Sequence, residues 1–356
     1  MYGYSTSMML INPFIYSSAP PVSTEFKITV DTTKAGSASD TFVLPLQVGT
    51  TSMTVYWGDG NSDLITSYNQ AELSHTYASS GTYQISCDGS FAGVRFTGGG
   101  DKLKLSSIDN WGTNQWKALS YAFFGCTNVV GTYTDSPDTS LATGTAIFMF
   151  RNCTNFNSPL TMDTSGITAM PNMFEGCTNF NSDVTFSDTS SVTNMSLIFN
   201  GCTNFDKAIN FNTAALTTMS AMFKNCSSFN QTINFVSPLL TTVSDAFHSC
   251  SSLNSTIDID VSSCASFIRV FYNCTVFDQD LSGWNISTLT AANNMLFGTS
   301  FSTTNYDLLL VAWQGQTHNS SVNFHAGTAQ YSSGAPSNSR ALLISDSWTI
   351  TDGGAV

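Results

Sequence analysis

The sequence is poor in charged residues, and above all in basic ones. Only 10% of its 356 residues are charged, and 11 Lys and Arg stand against 24 Asp and Glu, which leaves a net charge of −13. Binding to nucleic acid needs clustered basic residues, so this balance argues against a nucleic-acid partner. Uncharged apolar stretches long enough to cross a membrane are also missing, so we predict no membrane span.

Catalytic signatures are equally scarce. The chain has four histidines and no Gly-x-Ser-x-Gly, His-Glu-x-x-His or phosphate-binding loop. Three acidic pairs are the best candidates for calcium: Asp59/Asp63, Asp258/Asp260 and Asp278/Asp280. None forms the dense acidic loop that calcium favours, so surface acids are the better interpretation. We therefore expect a protein that is not an enzyme, without catalytic, cofactor-binding or metal-binding residues.

The first 22 residues carry no charge at all. No basic residue precedes Lys27, and the apolar run at residues 8–11 ends at Asn12 and Pro13, which does not fit a secretory signal. We predict an extended arm over residues 1–22, whose apolar side chains either anchor the protein to a partner or pack on the chain's own next domain. The candidate anchor residues are Tyr4, Leu10, Ile11, Phe14, Ile15 and Tyr16.

Aromatic residues, by contrast, are plentiful, and the phenylalanines follow a repeat of about 24 residues. Seven cysteines succeed one another at steps of 27, 24, 25, 24, 24 and 24 residues, and a phenylalanine stands three residues before each. Such a frame indicates a solenoid, in which each coil buries its apolar face against its neighbours. The predicted repeat core consists of Phe123, Cys126, Phe150, Cys153, Phe174, Cys177, Phe199, Cys202, Phe223, Cys226, Phe247, Cys250, Phe271 and Cys274.

Each repeat combines two periodicities. Alternating apolar pairs indicate a short strand; these are Leu160/Met162, Val184/Phe186, Ile209/Phe211, Ile233/Phe235 and Ile257/Ile259. Apolar residues at steps of three and four, such as Val192, Met195 and Phe199, predict a short helix or 3₁₀ turn. One strand and one helical turn per coil predict a mainly β, leucine-rich-repeat solenoid with a parallel sheet along one face.

The repeat carries a family resemblance. Met-Phe-Glu-Gly-Cys-Thr-Asn-Phe-Asn at residues 173–181, with Ser-Ser-Val-Thr-Asn-Met at 190–195, resembles the BspA-type leucine-rich repeat of bacterial surface proteins. Residues 105–113 with Trp116 resemble that family's opening coil, and residues 306–313 and 348–354 resemble its closing cap. The resemblance implies a solenoid of seven to eight coils over residues 99–300 and a C-terminal cap over 301–356.

Nine cysteines are open to three interpretations: a disulfide framework, a metal site or a ladder of buried thiols. Disulfide frameworks are typical of short secreted chains, and zinc favours closely spaced cysteine pairs or added histidine. A spacing of about 24 residues instead places one small thiol in each coil, where free cysteine packs as a buried hydrophobe. We favour the ladder.

Residues 23–98 lie outside the repeat frame. Val-Tyr-Trp-Gly-Asp-Gly at residues 55–60 and His-Thr-Tyr-Ala-Ser-Ser-Gly-Thr-Tyr at 75–83 resemble a PKD domain, an immunoglobulin-like β-sandwich. The residues that carry this resemblance are Trp57, Gly58, Asp59, Gly60, His75, Tyr77, Gly81 and Tyr83. Gly-Asp-Gly is typical of a hairpin turn. The resemblance implies a spacer or adhesive module, and the glycines at 98–100 predict a hinge before the solenoid.

These patterns favour a structural or binding protein whose repeat rod faces outward for adhesion or host contact. The missing export signal favours display on a phage particle, as a capsid decoration or tail fibre, with the arm bound to capsid or tail proteins and a host surface protein or glycan as a further partner. The alternative is a bacterial cell-surface adhesin of the BspA type. The expected location is accordingly the virion surface or, in the alternative, the cell surface, and an oligomer is compatible with both.

Overall fold

The structure, a computed structural model, describes residues 23–356. The predicted arm at 1–22 lies outside the described residues. Its anchor residues Tyr4, Leu10, Ile11, Phe14, Ile15 and Tyr16 therefore stay a prediction.

The N-terminal part consists of two antiparallel sheets around a common core. Its strands are β1 (Phe26–Asp31), β2 (Thr41–Val43), β3 (Thr50–Tyr56), β4 (Ser62–Ser67), β5 (Ser74–Thr76) and β6 (Thr82–Ser90), with a 3₁₀ helix at Ala71–Leu73. One sheet has the order β4-β3-β6-β1, and β2 pairs with β5 in the other. Alternation along β1 and β3 turns Val30 and Val55 inward, where they pack with Phe42 and Trp57.

The larger sheet continues past the predicted domain boundary at residue 98. Strand β7 (Leu105–Asn110) pairs antiparallel with β1, and β8 (Val130–Gly131) then pairs parallel with β7. The change from antiparallel to parallel pairing marks the start of the solenoid. The two predicted domains therefore share one sheet, which the sequence analysis missed because residues 105–113 fitted the opening coil.

The glycines at 98–100 do not form the free hinge that their composition predicts. The N–H of Gly98 donates to the carbonyl oxygen of Phe124 at 3.1 Å, and the Lys102 ammonium donates to the carbonyl of Gly98. Gly98 has a φ of 72°, and a side chain there would collide with the Phe124 ring. Glycine is needed here for a left-handed backbone and a close approach, which hold the segment in place.

A buried lysine fixes the junction further. Lys104 is fully buried, and its ammonium donates to the carbonyl oxygens of Ala38 at 2.7 Å and Thr41 at 2.6 Å and to the hydroxyl of Ser37 at 2.9 Å. Asp101 lies 3.7 Å away and accepts the N–H of Ser37 at 2.6 Å. Because buried charges are tolerated only when paired and hydrogen-bonded, this cluster binds the 37–41 loop to the first coil.

The solenoid is built from very short parallel strands. These are β9 (Gly144–Thr145), β10 (Leu160–Met162), β11 (Ile167–Ala169), β12 (Val184–Phe186), β13 (Ile233–Phe235), β14 (Ile257–Ile259) and β15 (Ala291–Ala292). Four of the five predicted strand pairs are strands, and the mainly β solenoid class is confirmed. Residues 209–211 are the exception, because within residues 23–356 they make no backbone hydrogen bond to either neighbouring coil. Phe186 and Phe211 stack there at 5.1 Å, so side chains connect the coils and the predicted sheet is interrupted.

The segment predicted as a short helix or 3₁₀ turn is a run of turns that bonds to the next coil. In one coil Leu197 and Gly201 have φ values of 60° and 76°. The N–H groups of Leu197, Phe199 and Gly201 donate to carbonyls of the following coil at 3.0, 3.0 and 2.8 Å, whereas a helix would use them internally. The N–H groups that alternate with them keep the 3₁₀ pattern, because Ile198, Asn200 and Cys202 donate to the carbonyls three residues earlier at 3.3, 3.1 and 2.9 Å. Apolar steps of three and four suit both arrangements.

The C-terminal region closes the solenoid with two helices and two strands. These are α1 (Thr303–Gln314), β16 (Asn323–His325), α2 (Ala335–Ser345) and β17 (Thr349–Thr351), and the parallel order β15-β16-β17 extends the last coil. Asp352 joins them, since it accepts the Tyr306 hydroxyl at 2.8 Å and the Arg340 guanidinium at 2.6 Å. Neither helix has the length and apolar character that a bilayer crossing requires, among the residues searched, 23–356.

Candidate binding face

The repeat core is a uniform scaffold. All fourteen predicted core residues are buried, and the rings of successive core phenylalanines stack with centroids 5.1–5.8 Å apart. A second aromatic column packs against the first within the coils, as Phe205 does against Phe199 at 4.2 Å. Because nearly every coil repeats this packing, the core positions the surface of successive coils in the same way.

The thiols form a hydrogen-bonded ladder. All nine cysteines are free and buried, and the thiol of Cys177 donates to the carbonyl oxygen of Phe150 at 2.9 Å. Five further core cysteines repeat this bond to the preceding phenylalanine at 2.9–3.0 Å. Burial raises the pKa of the Cys87 and Cys264 thiols to about 12. Neutral, buried thiols of this kind are structural.

A second ladder runs along the surface, and the sequence analysis missed it. The side-chain oxygen of each member accepts the backbone N–H of its counterpart in the next coil at 2.8–2.9 Å. The members are Asn157, Asn181, Asp206, Asn230, Asn254 and Asp278. The signal was available, since an Asn or Asp stands four residues after six of the seven repeat cysteines. This side of the coils is therefore engaged in holding the rod together.

Five of the six acids considered for calcium hydrogen-bond to their own protein. Asp260 and Asp280 accept the N–H groups two residues further on, at 3.0 and 2.8 Å, and Asp63 accepts the indole N–H of Trp57 at 2.8 Å. Burial tends to raise the pKa of Asp278, but hydrogen bonds from Ser302 and Asn305 outweigh it and lower the pKa. No three His, Cys, Asp or Glu side chains of residues 23–356 lie together as a metal site.

The residues of the PKD-like motif meet in one cluster. His75 stacks on Trp57 at 4.8 Å and contacts the Tyr77 ring edge-on at 4.6 Å, while its Nε2 lies 2.9 Å from Asp59. Tyr77 in turn stacks on Tyr83 at 3.7 Å. Gly58 and Gly60 supply left-handed turns, and the Gly81 N–H donates to Thr32 at 3.0 Å. Burial acts to raise the pKa of Asp59, but the bonds from His75 and Asn61 lower it. The cluster is a packed hairpin corner.

One face of the solenoid differs from coil to coil. We call it the variable face, and it comprises the residues two before and one after each core phenylalanine, or Leu296 in the last coil. Most of them are partly exposed. The pairs are Tyr121/Phe124, Phe148/Arg151, Asn172/Glu175, Leu197/Asn200, Ala221/Lys224, Asp245/His248, Arg269/Tyr272 and Asn294/Phe297. A constant scaffold therefore presents a surface whose chemistry changes along its length.

Charges concentrate on the middle of the variable face and are paired there. Arg151 lies 2.8 Å from Glu175, and Asp245 lies 2.9 Å from Arg269 and 3.4 Å from Lys224. Burial acts to raise the pKa of Asp245, but its bonds with Arg269 and Lys224 outweigh this effect and lower the pKa below the usual value. These pairs link neighbouring coils across the face.

Aromatic side chains gather at the two ends of the variable face. At the N-terminal end Tyr121 and Phe148 lie 5.1 Å apart. At the other end Tyr272 stacks between His248 at 4.8 Å and Phe297 at 5.1 Å. Partly exposed aromatic rings fixed on rigid coils are common anchors in recognition surfaces.

A comparison with known protein families gives a match over the repeats. The chain matches the model of the family described as "Mycoplasma protein of unknown function, DUF285" in three stretches, residues 94–185, 144–238 and 236–332. Together they span more than half of the chain. Neither the curated proteins nor the solved structures gave a match. The family match does not reach residues 23–93, so the PKD-like assignment of that part stays a prediction.

Proposed function

Since the chain belongs to the family described as Mycoplasma protein of unknown function, DUF285, we propose that it is a non-enzymatic binding protein of the cell surface. Its repeats form a rigid rod, and the variable face contacts the partner. The match of the family to the repeats and the BspA-like pattern of those repeats support an adhesin of this kind. A fold and a family indicate function only by analogy, whereas the variable face carries the side chains that a partner would contact.

The observation that carries the proposal is that some positions hold the same kind of side chain from coil to coil, whereas those of the variable face do not. Core phenylalanines, thiols and the Asn/Asp ladder repeat in nearly every coil because each bonds or packs with the next. The two columns of the variable face follow no such rule and carry aromatic, basic, acidic and amide side chains. Solenoids use extended surfaces of this kind to bind partners.

The phage particle expected from the missing export signal finds no support in the family match, which favours the cell-surface alternative. The two locations predict that the protein is recovered in different fractions, with intact cells or with purified phage particles. Proteolysis of intact producing cells should remove the solenoid epitope if the protein is displayed on the cell. Recovery of the full-length protein in purified particles, with none accessible on intact cells, would overturn the cell-surface location.

The contact surface is tested on the full chain with two matched variants. The first replaces four partly or fully exposed members of the variable face with serine: Asn200, Lys224, Tyr272 and Phe297. The second replaces four outward strand residues with serine: Thr161, Thr185, Asn234 and Asp258. Binding to a panel of immobilised matrix proteins and glycans should fall in the first variant only. Equal binding by both variants would contradict a role for the face.

A further inference from the structure

The N-terminal end of the variable face combines aromatic rings with arginines. Tyr121, Phe124 and Phe148 lie with centroids 5.1–6.1 Å apart, and all three are partly exposed. The Arg95 guanidinium lies 4.6 Å from the centre of the Tyr121 ring, and that of Arg151 lies 4.7 Å from Phe148. Stacking on a ring holds a guanidinium flat and fixes the direction of its donors.

Arg95 differs from the other arginines because it has no carboxylate partner. Arg151, Arg269 and Arg340 each lie within 2.6–2.9 Å of an Asp or Glu. The one hydrogen bond of the Arg95 guanidinium among residues 23–356 is a 3.4 Å bond to the side-chain oxygen of Gln47. Residues 1–22 contain no acidic side chain either. In a chain with a net charge of −13, Arg95 therefore keeps a fixed, uncompensated guanidinium.

A second unpaired cation lies beside the same rings. Lys102 donates to the Gly98 carbonyl and runs along Gly125, while Phe124 lies directly over Gly98. No acidic group lies within 4.0 Å of the Lys102 ammonium among the described residues. Arg95 and Lys102 thus place positive charge beside the N-terminal end of the variable face in an otherwise acidic protein, and such a local field selects anionic partners.

The backbone around these rings is already bonded. The N–H of Tyr121 donates to Ile147 at 2.8 Å, and that of Phe148 donates to Pro171 at 3.3 Å. A peptide could not add as a strand here, because strand addition needs a free edge. What is free is a platform of rings with flat guanidinium groups. A sugar ring stacks its C–H face on an aromatic ring, and a planar carboxylate accepts two parallel bonds from a guanidinium.

We propose that Arg95, Lys102, Tyr121, Phe124 and Phe148 form a subsite for a carboxylate-bearing polysaccharide. This assignment rests on the proposed function, since it names the chemical class of partner for one end of the variable face. The carboxylate of a uronic acid unit binds Arg95 and Lys102, and the sugar rings pack on the aromatic side chains. The charge pairs further along the face bind no anion, because their cations are already compensated.

The test measures binding of the full chain to hyaluronan, with neutral dextran, dextran sulfate and poly-glutamate as comparison probes. Hyaluronan should bind more tightly than the other three, and Arg95→Gln should weaken it about tenfold or more, the loss expected for a charge-assisted bond. Arg95→Lys should retain part of the affinity. Lys207→Gln, which removes an exposed solenoid cation elsewhere, should leave binding unchanged. Melting curves check that each variant is folded.

Several outcomes would overturn the subsite. These are equal binding of hyaluronan and dextran, unchanged binding by Arg95→Gln, and tighter binding of dextran sulfate or poly-glutamate than of hyaluronan. The subsite can fail while the proposed function stands. In that case the four-residue variant of the variable face still loses panel binding, although Arg95→Gln does not.

Discussion

The thiol of Cys177 donates to the carbonyl oxygen of Phe150, and a second donor uses the same oxygen. The carbonyl oxygen of Phe150 accepts the thiol of Cys177 at 2.9 Å and the N–H of Cys153 at 3.0 Å. A side chain at the cysteine position must therefore be small, apolar enough for full burial and able to donate a weak hydrogen bond. Cysteine meets all three requirements, which explains its recurrence once per coil.

Replacing Cys177 by alanine should remove this donor and lower the free energy of unfolding by about 0.5–1.5 kcal/mol beyond the loss of packing. Cys126→Ala is the matched control, because Cys126 is equally buried but its thiol has no carbonyl partner among residues 23–356. Urea unfolding of both variants measures the difference. Equal losses would mean that the thiol bond contributes nothing to stability.

The thiols should be unreactive in the native protein. All nine are buried and therefore shielded from a reagent, and burial raises the pKa of Cys87 and Cys264 to about 12, so almost no thiolate of these two exists at neutral pH. A thiol reagent should label none of them in the native state and all nine after unfolding without reductant. Recovery of fewer than nine would indicate disulfides and contradict the ladder.

Truncating a central ring should damage the solenoid locally. Phe199 stacks on Phe174 at 5.7 Å and on Phe223 at 5.8 Å. Phe199→Ala should cost about 3–5 kcal/mol, as for other buried aromatics, and hydrogen exchange should increase most in the adjoining coils. Phe297→Ala, at a 41% exposed position, is the control and should cost far less. An unchanged melting curve for Phe199→Ala would contradict the core assignment.

The buried lysine makes a further prediction at the junction. Lys104→Met would leave Asp101, which is 1% exposed, without its cation and should destabilise the protein by about 3–5 kcal/mol. Adding Asp101→Asn to the variant should recover part of that loss, because the uncompensated charge is then gone. Thermal unfolding of the single and double variants provides the measurement. A double variant no more stable than the single one would argue against charge as the cause.

Acid should destabilise the solenoid. Hydrogen bonds from the serines two residues further on lower the pKa of Asp163, Asp188 and Asp260 below 3.8. A lowered native pKa stabilises the folded state above the unfolded value, and this contribution is lost as the pH falls below about 4. Unfolding experiments between pH 7 and 2.5 should show the decline. Asp163→Asn should reduce the pH dependence, because asparagine keeps the hydrogen-bond acceptor but does not titrate. An unchanged slope of stability against pH would contradict this origin.

The sequence predicted what the repeat frame determines directly. The spacing of Phe and Cys predicted which residues are buried, and alternation predicted four strands, because both depend on burial within one coil. Bonds between coils were harder to foresee. Steps of three and four suit a helix, yet the N–H groups of Met195 and Phe199 bond to the next coil. No local pattern records that choice.

The junction and the variable face depend on contacts between residues distant in sequence. Lys104 and the loop at Ser37 are 67 residues apart, and nothing in either segment signals the other. The same holds for Arg95 and Tyr121, which meet only because residues 94–98 form an edge to the first coil. The Asn/Asp ladder, in contrast, is visible in the sequence, because it recurs at the same period as the apolar residues.

Each coil contacts its two neighbours through different faces. One face fits the opposite face of another coil, but it does not fit a copy of itself. The core phenylalanine N–H points toward the next coil, while the cysteine thiol points toward the previous one. An uncovered end of this rod could thus pair only with the opposite end of another copy. Such head-to-tail contacts form a ring only if the rotation between successive copies closes, and otherwise they form an open filament. The edge at residues 94–98 and the helical region after residue 300 occupy these two ends. Because both regions already bond to the first and last coils, neither of these coil faces is bare among the described residues.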